Sequence, residues 1–219
     1  MPPAKKTYRT YFLGDACLCW ELGGAIGRLT SLRVLYAYRR LKADKELAAL
    51  GVHDLVPSYT ALAVHANPLT DWPAVRLAVD RCFNSLPAAE AELAGQAARH
   101  ILPVAYRGED LPRVAELTGL TQEEVIRRHT AAEYMVAMIG FRPHFPYLLG
   151  LDPALTVPRL AAPRLKVQAG AVAIGGQQTG VYPEASPGGW HILGVTDPEL
   201  LKPIAPGDTV VFKRLAEEC

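Results

Sequence analysis

Several common signatures of a self-sufficient enzyme are missing from this sequence of 219 residues. It contains no Gly-Lys dipeptide, which excludes the Walker A phosphate loop, and it contains no G-x-G-x-x-G dinucleotide fingerprint. It also lacks the G-x-S-x-G nucleophile elbow, and no pair of His, Cys or Asp residues has the spacing of a zinc site. We therefore expect no metal ligand set, and we do not expect this chain alone to be a complete nucleotide-hydrolysing enzyme or an esterase.

Cysteine is scarce, and long apolar runs are absent. The four cysteines form no C-x-x-C pair and predict no disulfide framework, which favours a reducing cytoplasm as the compartment. They are Cys17, Cys19, Cys82 and Cys219. One of the longest apolar runs, Tyr134 to Phe141, is far shorter than the ~20 residues that a membrane-spanning helix needs.

Neither sign of charge dominates the composition. The chain has 23 Lys and Arg against 22 Asp and Glu, and its formal net charge is +1. This balance gives no electrostatic reason to expect a nucleic-acid or membrane partner. Half of the residues are hydrophobic and 21% are charged, which is typical of a folded protein and excludes a mainly disordered chain.

Glycine and proline are concentrated near the end of the chain. Residues 140–219 hold ten of the 18 Gly and ten of the 18 Pro, which indicates a change from helices to short strands and tight turns. We place the change of architecture near residues 95–100. The sequence thus predicts two domains, 1–98 and 99–219, with residues 100–141 bridging them.

The first part of the chain alternates between strand and helix patterns. Thr30 or Ser31 is predicted to cap a helix running to about residue 50, and Asp71 followed by Pro73 is predicted to start another that runs to about residue 86. Strands are predicted at 8–22, 55–66, 100–106 and 133–141. The order of strand, helix, strand, helix and strand predicts a small α/β sandwich, for which a ferredoxin-like arrangement is the model.

Two short helices precede the last of these strands, and Thr121 with Glu124 forms a capping box at the start of the second.

The rest of the chain has the pattern of a compact β-barrel. Strands are predicted at 165–168, 171–176, 178–182, 190–195 and 208–214. A barrel closes many short strands without leaving exposed edges, so we predict an α+β protein whose second domain is a barrel.

Two unusual turns are the strongest candidates for a binding site. The first is aromatic and held by prolines, and the second has a double glycine followed by tryptophan. Their candidate substrate-binding residues are Phe141, Pro143, His144, Phe145 and Tyr147 in the first turn, and Ser186, Gly188, Gly189 and Trp190 in the second. Each turn is equally well interpreted as a rigid structural corner or as the wall of a binding cleft.

Polar residues nearby are candidates for catalysis or binding. Arg159 and Arg164 could each present a guanidinium group to a carboxylate or phosphate, although solvated surface arginines are common. His129 ends a helix, where a histidine more often interacts with terminal carbonyl groups than with substrate. Gln178 and Thr179 lie on a predicted hairpin and could bind an amide or cap the turn.

These segments together resemble one protein family. The resemblance covers about residues 8 to 214 and depends most on four segments: GFRPHFPYL, PRLAAPR, AGAVAIGGQQTGVYPEASPGGWHILG and PGDTVVF. They look like the family of 5-oxoprolinase B subunits, which is also described as the carboxyltransferase subdomain C and D family, as allophanate hydrolase subunit 1, and as the sporulation kinase inhibitor KipI.

The resemblance implies a fold and a function. It implies an N-terminal α/β domain and a C-terminal cyclophilin-like β-barrel. It also implies a hydrolase subunit, inactive alone, that works with two partners to convert 5-oxo-L-proline, a lactam, to L-glutamate at the expense of ATP. These partners are the C subunit of 5-oxoprolinase, which is a homologous barrel protein, and the A subunit of the same enzyme. Since no phosphate loop is present, the ATP site is expected to be shared with a partner subunit.

The implied reaction suggests roles for the candidate residues. Arg159 and Arg164 would offset phosphate charge, whereas His129 and Gln178 would transfer a proton or donate a hydrogen bond. The chain departs from the family pattern at His144, where glycine is usual, and at Ala171, where serine is usual. The loop from Tyr106 to Leu111 is also shorter than usual, and these changes bear on substrate identity more than on fold.

Two alternative functions remain open at this point. One is a KipI-like regulatory module that binds a sensor histidine kinase through an exposed barrel face. The other is a subunit in urea or allophanate metabolism, although no biotin-carrier or amidase signature is present.

Overall fold

The computed structural model describes residues 8–216, so that Cys219 lies outside the described part. The chain divides between Gln96 and Ala97 into two compact units, and residues 100–141 belong to the second.

The first unit is a four-stranded antiparallel sheet with helices. The strands are β1 (Tyr8–Phe12), β2 (Cys17–Leu22), β3 (Val52–Pro57) and β4 (Ala61–Ala66). The helices are α1 (Arg28–Lys42), α2 (Lys45–Ala49), α3 (Trp72–Asn84) and α4 (Glu90–Leu93). The strand order is β1-β2-β4-β3. Apolar side chains of β2, β4, α1 and α3 form one core around the fully buried Trp20, whose Nε1 donates to Asp80 Oδ1 at 2.8 Å.

The helix predictions for this unit are partly confirmed. Asp71 starts α3 as predicted, because its carboxylate accepts the backbone N–H of Ala74 at 3.1 Å. The predicted cap at Thr30 or Ser31 is wrong: α1 already begins at Arg28, and Ser31 Oγ donates to a backbone carbonyl within the unit. The predicted single helix is two helices, because Asp44 caps the second one through the N–H of Glu46.

The ferredoxin-like arrangement is not confirmed. The segment predicted as its third strand, residues 100–106, belongs to the sheet of the second unit, and β1 occupies the edge beside β2 instead. The predicted strands 8–22 and 55–66 are each a hairpin of two strands, since the chain turns at Gly14 and at Ser58. What the structure establishes for this unit is a mixed α/β fold.

The second unit is a barrel-like sheet with two helices on it. Its strands are β5 (Arg99–Val104), β6 (Tyr134–Ile139), β7 (Pro146–Leu149), β8 (Arg164–Val167), β9 (Ala171–Gly175), β10 (Gln178–Val181), β11 (Ser186–Gly188), β12 (His191–Val195) and β13 (Thr209–Arg214). The helices are α5 (Leu111–Thr118) and α6 (Gln122–Ala131). Seven strands follow the order β12-β9-β10-β7-β6-β13-β5, and β11 pairs separately with β8.

The two outer strands of the seven-stranded sheet meet. Just beyond β5, Ala105 exchanges backbone hydrogen bonds of 2.9 and 3.0 Å with Val195 at the end of β12. The sheet is therefore nearly closed, which confirms the predicted barrel and is consistent with a cyclophilin-like fold. Its interior is a single apolar core that also takes up side chains of α5 and α6.

Two local predictions for this unit have mixed outcomes. Thr121 Oγ1 accepts the N–H of Glu124 at 3.2 Å, but the Glu124 carboxylate binds Arg127 and Arg128 rather than completing the capping box. The strand β7 was not predicted, because Pro146 and the aromatic residues around it have the composition of a loop.

Of the helices between residues 8 and 216, none is both long and apolar enough to cross a membrane.

Candidate functional site

The two turns singled out in the sequence come together around Trp190. This side chain lies just before β12 and is almost fully buried. Tyr147 in β7 and Phe145, the residue before β7, pack against it. Both rings meet the indole edge to face, with centroids 5.8 Å away. This geometry is favourable for aromatic pairs, so the three rings form a fixed apolar cluster. We call these three residues with Phe141 and Tyr182 the aromatic cluster.

Glycines on two neighbouring strands make room for the indole. A Cβ at Gly175 in β9 would lie 2.7 Å from Trp190 Cδ1, and one at Gly180 in β10 would lie 2.8 Å from the carbonyl oxygen of Pro146. Both positions are buried. Any larger residue would displace Trp190 or β7, so these glycines are needed for the close packing of the aromatic cluster.

Tyr182 connects the cluster to the double-glycine turn. A Cβ at Gly188 would lie 2.2 Å from Tyr182 Oη, whereas one at Gly189 would touch only Pro163 at 3.7 Å. Burial raises the pKa of the Tyr182 phenol, and a backbone hydrogen bond from Trp190 opposes part of that effect. The phenol of Tyr182 is therefore protonated and uncharged at neutral pH.

The loop between β6 and β7 holds two side chains in a backbone conformation that usually requires glycine. Phe141 has a φ of 67° and His144 a φ of 66°. Hydrogen bonds close the loop from Gly140 N–H to Phe145 O and from Phe145 N–H to Arg142 O. Phe141 is more than half exposed with its ring edge against Phe145, and His144 is exposed.

The two candidate arginines have different surroundings. The Arg159 guanidinium lies 5.6 Å from the centroid of the Trp190 ring, and it has no carboxylate partner within residues 8–216. Arg164 is paired twice, through Nη2 to Asp110 Oδ1 at 2.6 Å and through Nε to Glu109 Oε1 at 2.9 Å. The charge of Arg164 is therefore offset within the protein, and Arg159 is the cation of this region that a ligand could use.

Asp110 is a residue of this region that the sequence analysis missed. Its carboxylate is buried and also accepts the backbone N–H of Ile192 at 2.7 Å. It precedes α5 but makes no side-chain cap there. The only signal in the sequence is an Asp followed by Leu and Pro, which predicts a helix start. Partners more than fifty residues away along the chain leave no local pattern.

His129 lies inside the barrel, apart from the aromatic cluster. Thr179 Oγ1 donates to Ala173 O at 3.0 Å and so accepts from His129 Nε2 at 2.9 Å. This leaves Nδ1 to accept from Tyr106 Oη at 2.7 Å. The ring is fully buried and stacks on Phe212, and desolvation lowers its pKa to about 3. In this structure the ring is neutral with both nitrogens hydrogen bonded, so it meets a substrate only after rearrangement.

The remaining candidates are at the margin of the aromatic cluster. Gln178 is half-buried at the start of β10 and pairs with Gly175 across the hairpin. Ser186 is buried in β11, and its Oγ has no hydrogen-bond partner within the described chain. Pro143 is exposed in the β6–β7 loop. Among residues 8–216 there is no group of three or more His, Cys, Asp or Glu side chains that could hold a metal ion.

A single protein family spans both the α/β unit and nearly all of the barrel unit described above. Residues 8–209 match the family described as carboxyltransferase domain, subdomain C and D, and the chain belongs to that family. It is similar to the B subunit of 5-oxoprolinase from Bacillus subtilis, with 36% identity over 96% of this chain and 94% of that protein. It is also similar to the protein of the same name from Haemophilus influenzae, with 46% identity over 82% of this chain and 85% of that one.

Solved structures have the same fold. The crystal structure of the protein TTHA0988 matches 92% of this chain with a TM-score of 0.76 and 34% sequence identity. This chain spans 40% of the length of that protein. The urea amidolyase of K. lactis matches with a TM-score of 0.70 at 16% identity, a level of similarity that establishes the fold alone.

Proposed function

We propose that this chain is the B subunit of an ATP-dependent 5-oxoprolinase, which opens the lactam of 5-oxo-L-proline to L-glutamate together with the A and C subunits of that enzyme. One observation carries the proposal: the similarity to a protein named as a 5-oxoprolinase B subunit extends over 96% of this chain and 94% of that protein. The chain is inactive alone and works in the cytoplasm. The two units, divided at residues 96 and 97, are its two domains.

The chemistry of the reaction assigns work to the aromatic cluster. An amide carbon is a poor electrophile, and phosphorylation of the amide oxygen by ATP converts that oxygen into a leaving group. The ring of 5-oxoproline is nearly flat and carries apolar CH2 groups, so it suits the half-buried ring of Tyr147 and the exposed ring of Phe141. Its carboxylate, or the phosphate that is transferred, suits the unpaired guanidinium of Arg159 over the indole.

The other candidate residues act around this contact. Gln178, at the margin of the cluster, donates an amide N–H to the lactam. The backbone at Gly188 and Gly189 supplies further donors to an anion. Arg164 and His129 are positioning residues in this proposal, because both are already paired within the protein. The site is completed by the homologous C subunit of the enzyme, and ATP is held between subunits.

The experiment that tests the proposal is reconstitution. The chain is purified with candidate A and C subunits, and ADP release is followed with and without 5-oxoproline. Lactam-dependent ADP release that requires all three proteins supports the proposal. A stable complex without this turnover contradicts the substrate, and the absence of a complex favours instead a module that binds a histidine kinase.

Variants of this chain then locate the site. Arg159→Ala is expected to lower kcat/KM about tenfold to a hundredfold, the range for one charge-assisted contact, and Arg159→Lys to recover part of it. Lys213→Ala is the matched control, since Lys213 is an exposed cation on β13 with no acidic partner among residues 8–216. Full activity of Arg159→Ala would remove Arg159 from the site.

A further inference from the structure

A second concave region of the barrel unit lies where the barrel closes. It is a cleft of about 340 Å³, bordered by the loop after β5, by the end of β8 and by β12. Its lining includes Arg107, Glu109, Lys166, Gln168, Ile192 and Gly194. Its volume is at the lower end of the range of small-molecule sites. None of the candidate catalytic or substrate-binding residues lines it, but Ala171 and the loop from Tyr106 to Leu111, which depart from the family pattern, do contribute to it.

The floor of this cleft is formed by backbone in close contact. A Cβ at Gly108 would lie 2.2 Å from the carbonyl oxygen of Ile192, and one at Gly194 would lie 2.5 Å from that of Ala105. Gly108 N–H donates to Leu193 O at 3.0 Å across the same seam. The floor is therefore held by hydrogen bonds and has no room for side chains, which makes the cleft a fixed feature of the barrel.

Two cations of the lining have no acidic partner among residues 8–216. The lining also holds a carboxylate, Glu109, which is bound to Arg164 at 2.9 Å, and because Arg164 is shared with Asp110 these three groups keep one negative charge. Arg107 and Lys166 are exposed and have no acidic partner among the described residues. Most other cations of this unit do have one, namely Arg99, Arg113, Arg127, Arg128, Arg142, Arg164, Lys202 and Arg214.

We propose that this cleft binds a phosphoryl group, with the Arg107 guanidinium and the Lys166 ammonium as its cationic ligands and the Gln168 amide as a further donor. An arginine and a lysine without acidic partners among the described residues match the several oxygens of a phosphate better than a single carboxylate, and with Arg164, Glu109 and Asp110 included the region keeps a net positive charge. Arginine offers a planar pair of donors and lysine a point charge, a combination suited to phosphate oxygens. The inference rests on the cleft and its charge and not on the proposed function, because binding is measured on this chain alone.

The experiment titrates the full chain with inorganic pyrophosphate by calorimetry in a buffer of about 50 mM salt, where charge interactions are little screened. We expect one saturable site whose affinity falls as salt is added. Arg107→Ala and Lys166→Ala are each expected to weaken binding about tenfold or more, and Arg107→Lys to weaken it less. Lys213→Ala, which removes an exposed cation outside the cleft, is expected to leave the Kd unchanged.

A second measurement needs no variant. Pyrophosphate is expected to protect Lys166 from acetylation, read by mass spectrometry, while Lys213 is acetylated at an unchanged rate. Titration with ATP distinguishes the source of the phosphate, because much tighter binding than pyrophosphate indicates that a nucleoside is held as well. Equal affinity for L-glutamate would overturn the phosphoryl assignment. No saturable binding, equal loss in Lys213→Ala, or no protection of Lys166 would overturn the site itself.

Discussion

Arg164 and Asp110 form an ion pair of 2.6 Å that joins β8 to the loop before α5. The second oxygen of Asp110 accepts the backbone N–H of Ile192, so that one carboxylate fixes β8, this loop and β12. Arg164 also points Nη1 towards the carbonyl oxygen of Trp190, at 3.5 Å. The pair therefore holds the backbone on which the aromatic cluster is built, although neither residue lies over its rings.

Removal of the Asp110 carboxylate is expected to destabilise the protein. Asp110→Ala leaves the buried N–H of Ile192 without its acceptor and leaves the Arg164 guanidinium with only its exposed partner Glu109, at a cost of about 2–3 kcal/mol in the free energy of unfolding. Urea denaturation measures the change. Glu116→Ala is the matched control, because its pair with Arg113 is exposed and should contribute less than about 1 kcal/mol. Equal effects of the two variants would contradict a structural role for Asp110.

Replacement of His144 by glycine is expected to stabilise the protein. His144 has a φ of 66°, a conformation that costs a side-chain-bearing residue about 1 kcal/mol relative to glycine. His144→Gly should therefore raise the free energy of unfolding by up to this amount. Gly119→Ala provides the opposite control, since Gly119 has a φ of 69° with open space around its Cβ position, and should lower it by a similar amount. A loss of stability in His144→Gly would show that the imidazole makes contacts that outweigh the backbone strain.

Neighbouring glycines are expected to respond differently to alanine. Gly188→Ala places a methyl group against Tyr182 Oη, which should cost about 1–3 kcal/mol and displace the aromatic cluster. Gly189→Ala makes only ordinary contact with Pro163 and should be nearly neutral. Near-ultraviolet circular dichroism reports the aromatic packing, and urea denaturation reports the stability. Similar spectra and stabilities of both variants would contradict the close contact.

The stability of the protein is expected to fall in mild acid because of His129. Its pKa is lowered to about 3 in the folded state by burial, whereas an unfolded histidine titrates near 6.5. The unfolded state therefore takes up the proton first, so that the stabilisation is complete above about pH 6.5 and is lost as the pH falls towards 3. Between pH 6.5 and 4.5 this residue should cost about 2–3 kcal/mol.

Urea denaturation across that pH range tests this dependence. His129→Gln should be less stable than the wild type at pH 7 but should lose less stability on acidification. His53→Gln is the control, since His53 is exposed, and should follow the wild type. The same pH dependence in wild type and His129→Gln would exclude His129 as its source.

Local signals in the sequence predicted some helix starts correctly and missed others. The start of α3 at Asp71 and the cap at Thr121 are confirmed, because each depends on residues within one helical turn. The predicted single helix failed at Asp44, whose local hydrogen bond to Glu46 N–H starts a new helix. The barrel was predictable because the concentration of glycine and proline marks a region of short strands and tight turns.

The candidate site could be predicted only in part. The aromatic turn and the double-glycine turn are recognisable by composition, and the fold brings their rings into contact. Which arginine is available could not be predicted, because it depends on where Glu109 and Asp110 lie relative to Arg164 after folding. The burial of His129 was missed for the same reason, since Phe212, which packs on its ring, is far along the chain.

The pairing of Ala105 with Val195 has a consequence for association. At this seam the residue after β5 and the end of β12 satisfy each other's backbone groups, so this part of the barrel offers little template on which another chain could extend the sheet. The four-stranded sheet of the first unit ends instead in β1 and β3, which each have one strand neighbour among residues 8–216. Aggregation through strand addition is therefore a greater hazard for the first unit than for the barrel. Mutations that destabilise β1 or β3 are expected to reduce the solubility of the protein.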